Sequence, residues 1–425
     1  DYEQRYQWKV EPTTGAYTVA DEDIVKGRSV TLRRRKDWWG NEIPQLKYAY
    51  NPDAIRYQVI QDVPKAFELF RIGQLDYFGL SAPEYWYDKM DIDPAFNGYI
   101  HKATFYNIYP VVPRGFYFNV MKDPVSDVNV RRGFAYAMNT RKVINVLFRG
   151  DFDQAESFSL GFGKFTNGSI KGRRFSIAKA REHFAKAGYT EQGEDGILRK
   201  PDGTKLSVEV MFPSVVFLPR MMALYQEEAK KAGLELVLDG VESTQAFTKS
   251  TAKEHTVSFS GWGVTPPFPR YFQFFHSSFA VDDKGKPKKN TNNLNCYSDP
   301  RMDQLCVQVR FARGEDELLK AAHEVQQIVH DEALYVPTYY VPYTRVGYWR
   351  WVKWPDSEYT KFCDPKVYIP WDSYLYWIDE DLKEETLAAK REGKAFDEVV
   401  EVHDYYRNGI PEEDKQRRVE PGTID

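Results

Sequence analysis

The chain has 425 residues, of which 42% are hydrophobic and 28% charged, and its formal net charge is −4. This length favours two or three domains, and the negative balance argues against nucleic-acid binding, which needs basic residues to neutralise phosphates. Aromatic residues make up 16% of the chain, which suits a binding surface or a packed core equally well. The three cysteines, Cys296, Cys306 and Cys363, form no C-x-x-C pair and predict no zinc or redox motif.

Strands and helices alternate in the first 150 residues. Asp62 is a suitable N-cap for the helix that the spacing of Phe67 and Phe70 predicts. We expect strands at 17–19, 29–32, 55–60, 75–78 and 114–120, and helices at 63–72, 128–138 and 140–148. Residues 151–175 are rich in Gly, Phe and Ser without periodicity, which predicts a long connecting loop and a lobe boundary.

The alternation continues in the middle of the chain. Ser176 caps a predicted helix that Gly188 closes, and Pro201-Asp202-Gly203 predicts the turn of a hairpin. Further helices are expected near 218–232 and 316–329, and strands at 234–238 and 257–260. This pattern predicts α/β lobes with buried sheets. From about residue 379 the chain is charge-rich, which predicts an exposed helix or a partly disordered tail.

The motifs of common enzyme sites are absent from the sequence. It contains no G-x-G-x-x-G, P-loop, G-x-S-x-G or H-E-x-x-H pattern. His323 and His330 lie seven positions apart on one predicted helix, too far apart to share a metal ion without other ligands. We therefore predict no catalytic residues, no metal and no cofactor. No apolar run approaches the ~20 residues of a membrane span.

Six segments in a fixed order resemble the family 5 extracellular solute-binding proteins, the dipeptide and oligopeptide group that serves ABC importers. They are Thr14–Val19 with Ser29–Arg34 and Trp38-Trp39-Gly40; Ile55-Arg56-Tyr57 with Gly73–Asp76; Phe118-Asn119 with Asp127–Arg132 and Ala137-Met138-Asn139; Ala187-Gly188-Tyr189 with Gly196-Ile197-Leu198; Gly261-Trp262-Gly263; and Tyr297–Asp303 with Pro337–Tyr340. Each segment is weakly specific alone, but their order and spacing make a chance match improbable.

The resemblance implies a two-lobed fold of the periplasmic-binding-protein type, class II, with a hinge. We expect residues 1–150 in the first lobe, 151–340 in the second, 341–378 returning to the first, and 379–425 as a charged tail. Family members usually carry a longer N-terminal portion before the Gly15-Ala16-Tyr17 segment, so a missing N-terminal fragment is a possible partner.

The resemblance also implies a function in solute capture. The expected role is that of the periplasmic substrate-binding component of an ABC importer, which takes peptides or peptide-like solutes and meets a membrane permease. The alternative is a secreted or periplasmic hydrolase with an aromatic-lined cleft, although no catalytic motif supports it. An assay against broad hydrolase substrates separates the two.

Nine residues are candidate ligand contacts. They are Trp262, Thr265, Asn119, Arg114, Tyr339, Tyr340, Tyr343, Tyr85 and Trp86. Trp262 leads because flanking glycines would let a ligand approach the backbone while the indole stacks on it; a core tryptophan beside a turn is the alternative. Strand alternation allows at most one of Tyr339 and Tyr340 to reach a cleft. Thr265 stands where some relatives hold a peptide amine with an acidic residue, which puts that mode of anchoring in doubt.

The other candidates have structural alternatives of similar weight. Asn119 is as well placed to form a turn as to bind a ligand. Arg114 would pair with a ligand carboxylate, although a surface arginine is the commoner outcome. Tyr85 and Trp86 lie in an aromatic run whose alternative is a packed loop, and core or surface packing is the commoner fate of each of the late tyrosines.

Overall fold

The computed structural model describes residues 10–11, 13–107, 111–215, 217–263, 267–356, 361 and 373–405. The chain forms two compact units: the first comprises Asp1–Ile108 and Pro342–Asp425, and the second comprises Tyr109–Val341. The polypeptide therefore passes from the first unit to the second and back. Among the described residues, no helix combines the length and the apolarity that crossing a membrane requires.

The strands, numbered along the chain, are β1 Tyr17–Thr18, β2 Ile24–Val25, β3 Ser29–Arg34, β4 Ala54–Gln58, β5 Tyr77–Gly79, β6 Ile100–Tyr106, β7 Arg114–Phe118, β8 Asp153–Gln154, β9 Glu191–Gln192, β10 Leu198–Arg199, β11 Ser207–Pro213, β12 Glu235–Val241, β13 Val257–Ser260, β14 Tyr335–Tyr340, β15 Tyr343–Trp349, β16 Val352–Lys353, β17 Trp377–Ile378 and β18 Val400–His403. The helices are α1 Val63–Arg71, α2 Asp93–Phe96, α3 Val128–Ala137, α4 Thr140–Leu147, α5 Ile177–Lys186, α6 Leu218–Lys231, α7 Ser243–Thr251, α8 Phe272–Phe275, α9 Pro300–Phe311, α10 Glu315–Asp331 and α11 Glu380–Glu392.

Local sequence signals fix many of these boundaries. The Asp62 carboxylate accepts a hydrogen bond from the backbone N–H of Lys65 at 2.7 Å and starts α1, as an N-cap should. Asp127, Asn139 and Ser176 cap α3, α4 and α5 in the same way. The predicted helices agree with the observed ones to within a few residues, because caps and apolar periodicity are local properties.

The first unit contains a four-stranded sheet in the order β18-β6-β15-β5. β15 is antiparallel to β5 and β6, while β18 is parallel to β6. Phe70, Ile100 and Trp349 are fully buried in the core beside it. A separate sheet joins β1, β2 and β4 to β3, each antiparallel.

The second unit is built on a six-stranded mixed sheet in the order β12-β11-β13-β7-β14-β8. Its central strand β7 is buried on both faces. Phe116 contacts Phe134 of α3 and Tyr225 of α6, whereas its neighbour Tyr117 packs with Phe158 and belongs to the cluster formed with α9 and α10. Since successive strand residues point to opposite faces, helices cover the sheet on both sides, as α/β architecture requires.

Two predicted boundaries differ from the observed ones. Residues 111–150 belong to the second unit, because β7 pairs with β13 and β14 there; the loop composition at 151–175 placed the boundary too late. The charged segment after 379 is an integral part of the first unit as far as it is described. Helix α11 buries Thr386 and Ala389, and β18 adds a strand to the sheet. The high charge of this segment made its narrow buried face hard to recognise from the sequence.

Candidate functional site

A cavity of about 660 Å³ lies at the edge of the second unit's sheet, where β14 pairs with β8. We call it the edge cavity. Its lining residues are Arg141, Asp153, Gln154, Glu156, Leu160, Arg174, Phe175 and Tyr340. Tyr340 pairs directly with Asp153 across the two strands, one residue before Val341, where the chain leaves this unit. Strand pairing thus brings a phenol, a carboxylate and an amide to one wall.

The edge cavity presents both signs of charge. Arg174 and Glu156 form an ion pair, and Glu156 also accepts a hydrogen bond from the backbone N–H of Gly172 at 2.6 Å. Arg141 and Asp153 have no ion-pair partner within 4.0 Å among the described residues. One guanidinium and one carboxylate are therefore available for a ligand that itself carries an anionic and a cationic group.

Tyr339 and Tyr340 lie on opposite faces of β14. The Tyr339 ring is buried between Phe148 and Phe152, with centroid distances of 5.0 and 5.4 Å, and burial raises its pKa above the ordinary value. Tyr340 is half-buried and lines the edge cavity. Of the pair, only Tyr340 is placed to meet a ligand.

Trp262 follows β13. Its indole packs against aromatic side chains, whereas the backbone that follows it is exposed. Its indole contacts Phe274 at 5.1 Å and Phe247 at 6.2 Å, while the neighbouring Gly263 is exposed with no heavy atom near the position of a Cβ. The indole N–H and the hydroxyl of Tyr117 are buried and interact with each other, although neither has a hydrogen bond of normal geometry among the described residues. The buried indole N–H therefore faces a polar group of the core.

Arg114 lies at the start of β7 with an exposed side chain. Its Cγ passes 3.3 Å from the position that a Cβ would take at Gly261, so the glycine makes room for it. Its carbonyl accepts a hydrogen bond from the Thr338 hydroxyl at 2.6 Å. Thr265, the position that departs from some relatives, lies outside the described residues.

Asn119 serves the fold and is inaccessible to a ligand. Its side-chain N–H groups donate to the carbonyls of Lys253 and His255, each at 3.3 Å, and its oxygen accepts from the backbone N–H of Met121. Asn295 does the same for the carbonyls of Phe118 and Leu334. We call Asn119, Lys253, His255 and Asn295 the asparagine network; all four are at most 5% exposed. The prediction that Asn119 contacts ligand does not fit this burial.

The remaining candidates, Tyr85, Trp86 and Tyr343, lie in the first unit and are buried. Trp86 and Tyr343 meet around Arg345, whose guanidinium lies 4.8 and 4.2 Å from their ring centroids. The same guanidinium donates to the hydroxyls of Tyr343 and Tyr87 at 3.2 and 3.4 Å. The exposed member of this group is Tyr87, whereas the predicted contacts Tyr85 and Trp86 are buried.

Sequence reasoning overlooked Arg141, Asp153 and Arg345. A signal existed for Arg345, because a charged residue inside an aromatic strand, Tyr343-Thr344-Arg345-Val346, needs a specific partner. No such signal marked Arg141 or Asp153. Asp153 reaches Tyr340 through the pairing of β8 with β14, and Arg141 lies on α4, which packs against both strands. Metal ligands are a different matter: the described residues contain no group of three His, Cys, Asp or Glu side chains able to hold an ion.

Comparison with known proteins identifies the class to which this fold and these residues belong. Residues 4–282 match the family described as bacterial extracellular solute-binding proteins, family 5 Middle. This match covers well over half of the chain. The chain therefore belongs to the family 5 extracellular solute-binding proteins of bacteria, as its sequence segments predict.

Individual relatives are distant. A probable peptide-binding protein of Agrobacterium fabrum is 22% identical over 382 residues, covering 82% of this chain and 61% of the relative. The nickel-binding periplasmic protein of Escherichia coli is 23% identical over 315 residues, covering 72% of this chain and 56% of the relative. This chain thus spans about three fifths of the length of these relatives.

Solved structures confirm the fold. The oligopeptide-binding protein AppA of Bacillus subtilis, in complex with a nonapeptide, matches with a TM-score of 0.67 at 19% identity, covering 86% of this chain and 66% of AppA. A periplasmic oligopeptide-binding protein of Thermotoga maritima gives a TM-score of 0.70 at 18% identity, covering 88% and 69%. The predicted α/β fold of the periplasmic-binding-protein type is correct.

Proposed function

We propose that this protein captures peptides or peptide-like solutes in the periplasm and delivers them to the membrane permease of an ABC importer. The observation that carries the proposal is the family match over residues 4–282. Solute capture needs no bond-making chemistry, and the protein acts without catalysis. The runner-up hydrolase gains no support from the arrangement of the edge cavity, where Glu156 is held by Arg174.

Peptide is the favoured solute for two reasons. Proteins similar to this chain include a probable peptide-binding protein and structures holding a nonapeptide or the peptide STSA. In addition, the edge cavity offers the charges that a short peptide presents at its ends. Arg141 suits a terminal carboxylate and Asp153 a terminal amine, while Gln154 suits main-chain groups. One relative is named for nickel binding, so a solute other than peptide is a second outcome that the experiment below distinguishes.

Closure of the two units on the solute completes the proposed mechanism. A solute stabilises a closed form only by the difference in its affinity for closed and open forms. In the second unit we assign the solute contacts to the edge cavity, Arg114 and Trp262.

Native mass spectrometry of the purified chain, before and after gentle denaturation, tests this function. Release of a peptide-sized mass identifies the solute class. If the chain is empty, calorimetric titration with a library of short peptides follows, with the same peptides amidated at the carboxyl end as a control. Saturable binding that amidation weakens supports the assignment of Arg141. Binding of a nickel complex or sugar but no peptide overturns the peptide assignment, and turnover of a hydrolase substrate overturns capture without catalysis.

A further inference from the structure

A second cavity of about 820 Å³ lies in the second unit between the segment 268–273 and helices α9 and α10. It shares no lining residue with the edge cavity. Its volume falls within the range of about 300–1,000 Å³ that small organic ligands occupy.

The walls of this cavity are mostly apolar. Phe268, Phe272, Phe279, Val309 and Leu318 line it. Phe268 is 49% exposed, whereas Val309 and Leu318 are buried in the core cluster of this unit. Two buried polar groups in the wall are uncharged: the Tyr271 hydroxyl bonds to that of Ser159 at 3.0 Å, and burial raises the pKa of the Cys306 thiol to about 12. An apolar body of a ligand is therefore well accommodated.

The rim of the cavity is basic. Arg270, Arg310 and Arg313 line it with exposed side chains, and no described carboxylate lies within 4.0 Å of their guanidinium groups. The Glu317 carboxylate accepts a hydrogen bond from the backbone N–H of Arg313 at 3.1 Å. The Arg310 guanidinium lies 4.5 Å from the ring centroid of Phe272, held over the apolar wall. Glu315, the acidic residue in the lining, is already paired with Lys164. The three guanidinium groups of the rim thus form no direct ion pair with a described carboxylate.

We propose that this arginine-rimmed cavity binds an amphiphilic carboxylate, a molecule with an apolar chain and one terminal anionic group. The apolar walls bury the chain, which supplies the hydrophobic driving force. The guanidinium groups receive the carboxylate in charge-assisted hydrogen bonds, for which their planar geometry is suited. The site is separate from the edge cavity, so this proposal does not depend on peptides being the transported solute.

Calorimetric titration with decanoate tests the proposal, with decanol and decyltrimethylammonium as matched probes. We expect saturable binding of decanoate, weaker binding of decanol and none of the cation. Arg310→Met keeps the apolar stem and removes the charge, so it should weaken decanoate binding about tenfold. Arg220→Met, at an exposed position of α6 outside both cavities, should leave binding unchanged.

A second variant tests the location of the site. Ala312→Trp places a large ring in the half-buried lining and should abolish decanoate binding. Circular dichroism checks that Ala312→Trp is folded. If it is not folded, the decanoate affinity of Arg310→Met still tests whether the site lies in this cavity. The proposal is overturned by a lack of saturable decanoate binding, by equal affinity for the cation, or by an unaltered affinity in Arg310→Met. Competition between decanoate and a captured peptide, or a dimer that covers the cavity, also overturns it.

Discussion

Two polar regions of the second unit, the asparagine network and the edge cavity, use similar residue types for opposite purposes. In the network, side-chain donors end on backbone carbonyls: Asn119 and Asn295 each satisfy two, and the Lys253 ammonium satisfies those of Thr291 and Asn293 at 2.7 and 2.9 Å. In the edge cavity, Arg141 and Asp153 have no ion-pair partner among the described residues. Residue type alone does not distinguish a structural polar side chain from a binding one. The distinction is whether the side chain already has hydrogen-bond or ion-pair partners within the protein.

The largest expected effect lies in the network. Asn119→Ala removes three hydrogen bonds from a fully buried position and leaves the carbonyls of Lys253 and His255 without that donor. We expect the free energy of unfolding to fall by about 3 kcal/mol. Urea denaturation followed by circular dichroism measures it. Asn292→Ala, at a half-buried neighbouring asparagine, is the control, and an equal loss in both variants would contradict the distinction drawn here.

The pH dependence of stability comes next. Burial lowers the pKa of His255 to about 3, with Lys253 and Lys122 adding repulsion, and its Nε2 bonds to the Leu294 carbonyl at 3.0 Å. In the unfolded state His255 binds a proton below its ordinary pKa of ~6.5, whereas in the native state it stays neutral down to about pH 3. The contribution of neutral His255 to the free energy of unfolding is therefore complete above pH ~6.5 and is lost as the pH falls toward 3.

His255→Gln isolates this contribution. By pH 5 the loss from His255 amounts to about 2 kcal/mol in the wild type. The difference in unfolding free energy between pH 7 and pH 5 should therefore be smaller in His255→Gln by that amount. Urea titrations at both pH values provide the comparison. Identical pH dependence in the two proteins would mean that His255 is protonated or solvated in the native state.

In the edge cavity, the effect should appear in binding and leave stability unchanged. Arg141→Met removes an exposed guanidinium that pairs with no described carboxylate, so unfolding in urea should be unaltered. We expect affinity for a peptide with a free carboxyl end to fall about tenfold. Calorimetry of this variant beside Arg220→Met provides the test. An unchanged affinity would remove Arg141 from the ligand site while leaving the family assignment intact.

The smallest expected change concerns Trp262, which has features of both regions. Trp262→Phe keeps an aromatic ring against Phe274 and removes an indole N–H whose interaction with the Tyr117 hydroxyl lacks normal hydrogen-bond geometry. We expect stability to change by less than about 1 kcal/mol, because no hydrogen bond of normal geometry is lost. A larger loss of stability with unchanged peptide affinity would place Trp262 in the core, the alternative that the sequence already raised.

The sequence determined the local features of this protein and the family to which it belongs. Caps such as Asp62 and Ser176, apolar spacing and the ordered family segments depend on residues close together in the chain, and the helices, the α/β class and the family followed from them. Tertiary structure decided the rest. Strand pairing placed β7 in the second unit and brought Asp153 beside Tyr340, and the fold buried Asn119, for which a ligand contact or a turn was expected. Such contacts join residues far apart in sequence, so burial and partnership, which separate a structural polar group from a binding one, became visible only in the folded chain.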